Sequence, residues 1–415
     1  MSTIWLINQY GTPPSIGMHA RQHYLGRALA AAGHDVYVIA GRAHHLMRDK
    51  EAAIAAPQRE QIDGYTFVRL DTVSYVNAHD KRRILSWLSF GWKIVRLRAQ
   101  VKLPKPDVIL YSSPSLFGVL GTEWAARRSK AKLVFEVRDI WPLTLVQVGN
   151  INPRHPLIRV MQWVEDRAYA KADLVISNLK YAVEHMVTRG MDPAKFEWLP
   201  NGVMVSDTAL ADPLPDTAAE ALPSVPFIVG YAGTLGAAQD LYAFIDAAHV
   251  LRDRKDIGFV LVGSGKEKDN LKAHAAALRI DNVTFIDPIR KTQVQSMLAR
   301  FDACFIGLAP EPLFRFGVSP NKLFDYLMAA KPIVYAIESG KYSPVTDHDA
   351  GIAIAPGAPQ AIAQAVRELA DMPAKRRAEM GANGRRALEA QYDYAALGGE
   401  LNQMLKDLLD GRRAG

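Results

Sequence analysis

The stretch Arg315–Val334, RFGVSPNKLFDYLMAAKPIV, holds residue types in an order that suits anion binding. A turn-rich run, Phe316-Gly317-Val318-Ser319-Pro320-Asn321, passes into a segment with Leu323, Phe324, Leu327 and Met328 on one side. That spacing predicts a helix, and Pro332 follows soon after its end. Pro320 suits a helix start, where its missing N–H costs nothing. Backbone N–H groups around Ser319 and Asn321, the positive helix end and the Lys322 ammonium would then meet at one point, as binding of a sugar-nucleotide diphosphate requires. Asp325, one turn on, could accept hydrogen bonds from sugar or ribose hydroxyls. A capped core helix with a surface lysine is the competing reading of this stretch.

Other candidates lie at the ends of apolar runs. Phe227–Tyr231 reads as a strand that ends in Ala232-Gly233-Thr234-Leu235-Gly236, a glycine turn able to cradle a phosphate. Phe259–Val262 ends in Gly263-Ser264-Gly265-Lys266, which lacks the full P-loop spacing and the hydroxyl after its lysine, so ATP hydrolysis is not expected. Lys266 is either a phosphate contact or a solvated side chain. At the end of strand Leu133–Val137, Glu136 and Arg138 alternate to one side and Asp139 opens the loop. They form either an acid–base or substrate-orienting group, or a buried ion pair that ties the loop. Neither CxxC nor HExxH occurs, so no metal site is expected.

The elements that must hold these groups alternate between strand and helix. Strands are expected at Ile4–Ile7, Asp35–Ile39, Tyr65–Leu70, Asp107–Tyr111 and Leu174–Ser177, with helices at Met18–Ala32 and from Pro114 to about Arg128. Such alternation argues α/β architecture with doubly wound parallel sheets, which bind ligands at the carboxyl ends of their strands. The first loop, Asn8–Gly17, lacks the GxGxxG spacing of a dinucleotide site. With 415 residues, two domains are the default. Asp207–Pro226 has little periodicity and reads as a linker. The sole cysteine, Cys304, falls in an apolar run and reads as a buried strand residue, consistent with a reducing cytosol.

The chain is 49% hydrophobic and 22% charged with a net charge of +7, which favours anionic partners. The charge gathers in Lys81–Lys102, KRRILSWLSFGWKIVRLRAQVK, with seven basic residues and no acidic one. Trp87 and Trp92 beside Arg82, Arg83 and Lys93 suggest an interfacial helix on an anionic leaflet. Its aliphatic content suits lipid better than nucleic acid. An amphipathic core helix with a basic outer face is the alternative.

Ser319-Pro320-Asn321-Lys322-Leu323-Phe324-Asp325-Tyr326, followed by Ala329-Ala330-Lys331-Pro332-Ile333-Val334, resembles the donor-site helix of family 4 retaining glycosyltransferases of the GT-B fold. Arg138-Asp139 followed by Trp141-Pro142 resembles the branch that builds bacterial O-antigen, capsule or exopolysaccharide, and Pro200-Asn201-Gly202-Val203 resembles the junction that closes the first domain in this family. The family carries two glutamates eight positions apart; here those positions hold Gly317 and Asp325. Many relatives have histidine where this chain has Arg138.

The resemblance implies two Rossmann-like domains facing a cleft: 1–203 for the acceptor, a linker 204–226, 227–393 for the sugar nucleotide, and 394–415 crossing back to the first domain. It lays the donor diphosphate over Gly233 and Thr234, assisted by Lys266, Ser319, Asn321 and Lys322, with the nucleobase at the backbone around Pro288. Asp325, Asp139 and Arg138 would orient the donor and acceptor, while Gly17, His19 and Arg21 would face the acceptor. The implied reaction is metal-independent transfer of a hexosyl or N-acetylhexosaminyl group, with retention. The donor would be a nucleoside-diphosphate sugar, read as a UDP-sugar, and the acceptor a polyprenyl-diphosphate-linked saccharide or lipopolysaccharide intermediate at the cytoplasmic membrane face. A sugar-nucleotide epimerase of the same fold and a non-catalytic membrane-surface protein are the rival readings.

Overall fold

The structure, a computed structural model, describes residues 1–13, 16, 21–47, 49–75, 80–208 and 211–412. It divides into two compact units: Met1–Asn201 with Tyr394–Gly415, and Gly202–Asp393. The linker expected over 204–226 is part of the second unit. Its residues carry short helices, Val205–Thr208 and Asp216–Glu220. Asp212 bonds to Thr292 and Ser296, so this segment is fastened down.

Among the described residues the first unit is built on strands β1 (Thr3–Ile7), β2 (Asp35–Gly41), β3 (Arg59–Ile62), β4 (Tyr65–Leu70), β5 (Val108–Ser112), β6 (Lys132–Val137), β7 (Leu174–Ser177) and β8 (Phe196–Trp198). Their order is β3-β4-β2-β1-β5-β6-β7-β8. All neighbours are parallel except β3 and β4. The central strands are buried along nearly their whole length, as expected for a sheet covered on both faces. Strand β3 escaped the sequence reading because its residues are polar and only half-buried. Its signal was the Asp63-Gly64 turn, with φ of 42° and 89°, the two-residue hairpin geometry that glycine permits.

The Arg21–Ala31 helix is covered by the C-terminal Tyr394–Leu409 helix, which returns to the first unit. They meet closely at Gly398, where a Cβ would lie 2.2 Å from that of Ala28. The Arg82–Val95, Gly118–Ser129 and Pro156–Lys171 helices adjoin one another in turn. Lys81–Lys102 is not one helix: Arg82–Val95 and Leu97–Val101 are separated at Arg96.

The second unit carries strands β9 (Phe227–Ala232), β10 (Ile257–Val262), β11 (Val283–Ile286), β12 (Ala303–Gly307), β13 (Ile333–Ala336) and β14 (Gly351–Ala353). Their order is β11-β10-β9-β12-β13-β14, with every neighbour parallel. Cys304 is buried in β12. The strand order reverses direction between β9 and β12, leaving a crevice at their carboxyl ends. The Asn321–Met328 helix buries Leu323, Phe324, Tyr326, Leu327 and Met328. Each unit by itself is a Rossmann-like α/β domain, as the resemblance implied.

Candidate donor and acceptor sites

The second unit brings its glycine turns and the organising helix together at the β9/β12 reversal. Gly233 N–H donates to the Val262 carbonyl at 2.9 Å, and Leu235 N–H to the Ser264 carbonyl at 2.9 Å, so the turns after β9 and β10 lie side by side. Only glycine allows this approach: a Cβ at Gly263 would fall 1.9 Å from the Gly233 carbonyl oxygen, and one at Gly265 2.0 Å from that of Leu235. Ala309 N–H donates to the Ala238 carbonyl at 2.9 Å, tying the loop after β12 to the segment after β9. Tyr326 Oη accepts from Ala232 N–H at 3.0 Å, which pins the helix to the end of β9.

Lys322 lies across this turn. A Cβ on Gly233 would be 2.0 Å from Lys322 Cε, and Nζ sits 5.5 Å from the centre of the Tyr231 ring. No hydrogen bond or ion pair holds the ammonium among the described residues. Burial lowers its pKa, Asp325 acts in the opposite direction, and Lys291 adds to the lowering. A partly desolvated cation over a glycine turn is suited to a diphosphate, whose charge would replace the lost hydration. Gly233→Ala is expected to displace the lysine's flexible end. With φ of 155° at this position, the new side chain also strains the turn, so nucleotide affinity should fall at least about tenfold and the melting temperature should drop as well, as calorimetric titration and thermal unfolding would show.

Asp325 is half-buried and receives both its carboxylate contacts from Lys291 Nζ, at 2.5 and 2.6 Å. Sequence spacing could not reveal this partner, which stands 34 positions away. Thr234, Lys266, Asn321 and Pro288 are exposed, and Ser319 is half-buried. Lys266 has no partner among the described residues, whereas its neighbour Lys268 bonds to Asp287 at 2.6 Å. Pro288 lines a cavity of 510 Å³ with Pro213, Pro215 and Gln293. Gly317 has φ of 98°, a conformation that disfavours any side chain. A glutamate at this position would therefore be strained.

In the first unit, Gly17 and His19 lie outside the described residues. Arg21 does not face an opening as expected: it is 3% exposed. Its Nε bonds to Glu136 Oε1 at 2.7 Å, Nη2 to the Leu199 carbonyl at 2.8 Å, and Nη1 to the Pro200 carbonyl at 2.5 Å. Gln22 and Ser112 also bond to Glu136. Burial by itself would raise the Glu136 carboxyl, but Arg21, Arg138 and the Ser112 hydroxyl together hold it below the usual range. Glu136 is thus the buried anchor for Arg21, and the ion pair imagined between Glu136 and Arg138 gives way to a longer-range one.

Arg138 is consequently available. Its backbone N–H donates to Ser113 Oγ at 2.8 Å, while its side-chain Nε is buried with no hydrogen-bond partner. Asp139 follows it at the carboxyl end of β6. Its side chain reaches solvent, yet the protein packed around it pushes its carboxyl up, and Arg138 pulls it back.

Beside this pair stands an aromatic and basic wall that sequence reading missed. Tyr10 Oη accepts from Trp87 Nε1 at 2.6 Å and from Arg83 Nε at 3.1 Å. The Arg83 guanidinium lies 5.0 Å from the Trp87 ring centre, 5.5 Å from Trp141 and 5.7 Å from Tyr10. His45 Nδ1 is 2.8 Å from Tyr75 Oη. Residues from the ends of β1, β2, β4 and β6 meet here, so no local spacing announces them. Such rings can stack on sugar faces, with arginine and histidine as hydrogen-bond donors. Trp87, expected on a lipid surface, is only 3% exposed because it forms the back of this wall. Arg83 is half-buried, Lys93 likewise, and Arg82 and Trp92 are exposed.

Residues 17–202 match the family described as "Glycosyl transferase 4-like domain", and residues 216–387 match "Glycosyl transferases group 1". No curated protein matches the chain. Among solved structures, sucrose-phosphate synthase from Thermosynechococcus elongatus superposes with a TM-score of 0.71 at 20% identity, over 99% of this chain and 100% of that one. HepE from Anabaena, in complex with UDP and glucose, gives 0.68 at 16% identity over 98% and 100%. WaaG, a glycosyltransferase involved in lipopolysaccharide biosynthesis, gives 0.64 at 14% identity over 97% and 99%. The chain thus carries two glycosyltransferase-family domains, residues 17–202 and 216–387, on two Rossmann-like units with the fold of the GT-B glycosyltransferases.

Proposed function

We propose that this protein transfers a hexosyl or N-acetylhexosaminyl group from a UDP-sugar to a lipid-linked saccharide, with retention, in the surface-polysaccharide branch of the family. The observation that carries the donor assignment is the unpaired Lys322 ammonium laid over the Gly233 turn at the β9/β12 reversal. That HepE has been captured with UDP-glucose supports the choice of nucleotide, and the role of WaaG in lipopolysaccharide biosynthesis supports the acceptor class.

Lys322, the backbone N–H groups at the start of the Asn321–Met328 helix and the helix dipole would stabilise the leaving diphosphate. These charges would serve where other sugar-nucleotide enzymes use a divalent ion. Asp325, oriented by Lys291, would accept from donor hydroxyls. In the first unit, Arg138 and Asp139 would orient the acceptor hydroxyl, and the wall at Trp141, Tyr75 and Arg83 would hold acceptor sugars. The reaction would take place at the cytoplasmic face of the membrane, where lipid-linked intermediates are built.

A thermal-shift screen of UDP, GDP, ADP and their sugars tests the donor. A UDP-selective rise in melting temperature is expected, followed by transfer of labelled sugar to extracted bacterial lipid-linked glycans. If no nucleotide shifts the protein, the donor assignment fails; if UDP binds but the sugar is interconverted rather than transferred, the epimerase reading replaces it. Asp139→Asn and Arg138→Ala should each lower kcat about a hundredfold while leaving the Kd for UDP unchanged, a split readable from steady-state rates and calorimetry.

A further inference from the structure

The Lys322 ammonium has a carboxylate one helical turn away with which it does not pair. Lys322 and Asp325 lie at i and i+3 on the Asn321–Met328 helix, a spacing at which oppositely charged side chains are neighbours and attract. The lysine nevertheless runs across the Gly233 turn and makes no ion pair among the described residues. Both oxygens of Asp325 are taken instead by Lys291 Nζ, at 2.5 and 2.6 Å. The Asp325 side chain is 13% exposed and that of Lys291 52%. Removing Lys291 would therefore take little from the packed interior while stripping a largely buried carboxylate of its partner.

Lys291 is placed for this contact by surroundings of its own. It opens the single turn Lys291–Gln293. Gln293 Oε1 accepts from the Arg290 N–H at 3.0 Å, and Gln293 Nε2 donates to the Pro213 carbonyl at 3.0 Å. The Thr292 hydroxyl donates to the Asp212 carboxylate at 2.7 Å, and the Ser296 hydroxyl to the Asp212 carbonyl at 2.6 Å. Gln295 Nε2 donates to the Asp325 carbonyl at 3.0 Å, which sets the spacing between this segment and the helix. Lys291 thus reaches Asp325 from a frame fastened at Asp212 and Pro213.

The arrangement has an electrostatic consequence. Left without Lys291, the Asp325 carboxylate would draw the ammonium off the turn and cancel the charge that a diphosphate must meet. With Lys291 in place the three groups carry one positive charge in excess, and it stands at Lys322. Both neighbours already act on that ammonium in these opposed senses: Asp325 holds its proton and Lys291 loosens it.

We propose that Lys291 is a positioning residue of the donor site: by occupying both oxygens of Asp325, it keeps the Lys322 ammonium free for the diphosphate. It acts through Asp325 and does not itself touch the phosphates. This role rests on the donor site proposed above. It differs from that of an ordinary basic residue in one respect, since loss of Lys291 does harm only while Asp325 keeps its charge.

The test is a double-mutant cycle on the full chain, with Kd for inorganic pyrophosphate and for UDP read by calorimetric titration. Pyrophosphate isolates the charge effect, because it has no hydroxyls for Asp325 to accept from. Lys291→Met should weaken both ligands about tenfold. Adding Asp325→Asn to Lys291→Met should return pyrophosphate to within about twofold of the wild type. Lys291→Arg, which keeps the charge and can reach both oxygens, should retain most of the affinity. Should Lys291→Met not fold, Lys291→Gln removes the same charge and replaces it in the cycle. Equal losses of pyrophosphate affinity in the single and double variants would make Lys291 a direct phosphate contact and overturn the proposal. Unchanged affinity in the single variant would reduce the pair to a structural tie and overturn it equally. If the wild type binds neither ligand, the donor assignment itself fails and this role falls with it; if UDP binds but the cycle shows no rescue, only this role falls.

Discussion

Lys322→Ala is expected to remove most of the affinity for UDP and UDP-sugars, raising Kd about ten- to a hundredfold, the worth of about 1.5–3 kcal/mol for a charge-assisted contact. Its melting temperature without nucleotide should stay near that of the wild type, because the ammonium has no ion pair to lose. Lys322→Arg should not restore binding: the side chain runs against Gly233, where a Cβ would already be 2.0 Å from Cε, and a planar guanidinium lacks the room.

Burial gives this group a signed pH dependence. The folded protein holds the Lys322 proton less tightly than the unfolded chain does, because burial lowers its pKa from the ordinary lysine value of 10.5. Between the lowered value and 10.5 the unfolded state therefore binds more protons, and this group makes the nucleotide-free protein more stable as pH rises. Diphosphate binding needs the ammonium, so the nucleotide-induced shift should shrink over the same interval. Opposite slopes with and without UDP in one thermal-shift series would confirm the pair of effects. Parallel slopes, or a UDP shift retained in Lys322→Ala, would remove Lys322 from the donor site.

Arg21→Ala should be the most destabilising single change at the first unit's strand ends, costing about 3–5 kcal/mol because Glu136 is left buried and charged without its partner. The loss spreads further, since Arg21 also holds the Leu199 and Pro200 carbonyls at 2.8 and 2.5 Å. Arg21→Met combined with Glu136→Leu should recover much of that stability by removing both charges together. Glu136 sets the pH dependence of the pair. Its folded-state pKa is depressed, so its contribution is present above the usual carboxylate range and is lost as pH falls through the depressed value. Urea unfolding at several pH values reads both effects. A midpoint in Arg21→Ala equal to that of the wild type would contradict the anchoring role, and would return Arg21 to the acceptor-facing position that the family resemblance implies.

The contrast between Arg21 and Lys322 shows where sequence ceases to be enough. Local order by itself determined the strand–turn–helix units, the burial of Leu323, Phe324, Leu327 and Met328, and the glycine turns, because periodicity and backbone freedom act over a few residues. It also presented Lys322 beside a helix start, since helix capping is a short-range matter. Which side chains meet across strand ends was decided by tertiary structure alone. Lys291 reaches Asp325 from 34 positions away and Arg21 reaches Glu136 from 115, distances over which no spacing rule operates. Trp87 and Trp92 sit five residues apart on one helix, where the helical turn places one inside against Tyr10 and the other outside. Only the packing of neighbouring helices decided which of them meets solvent.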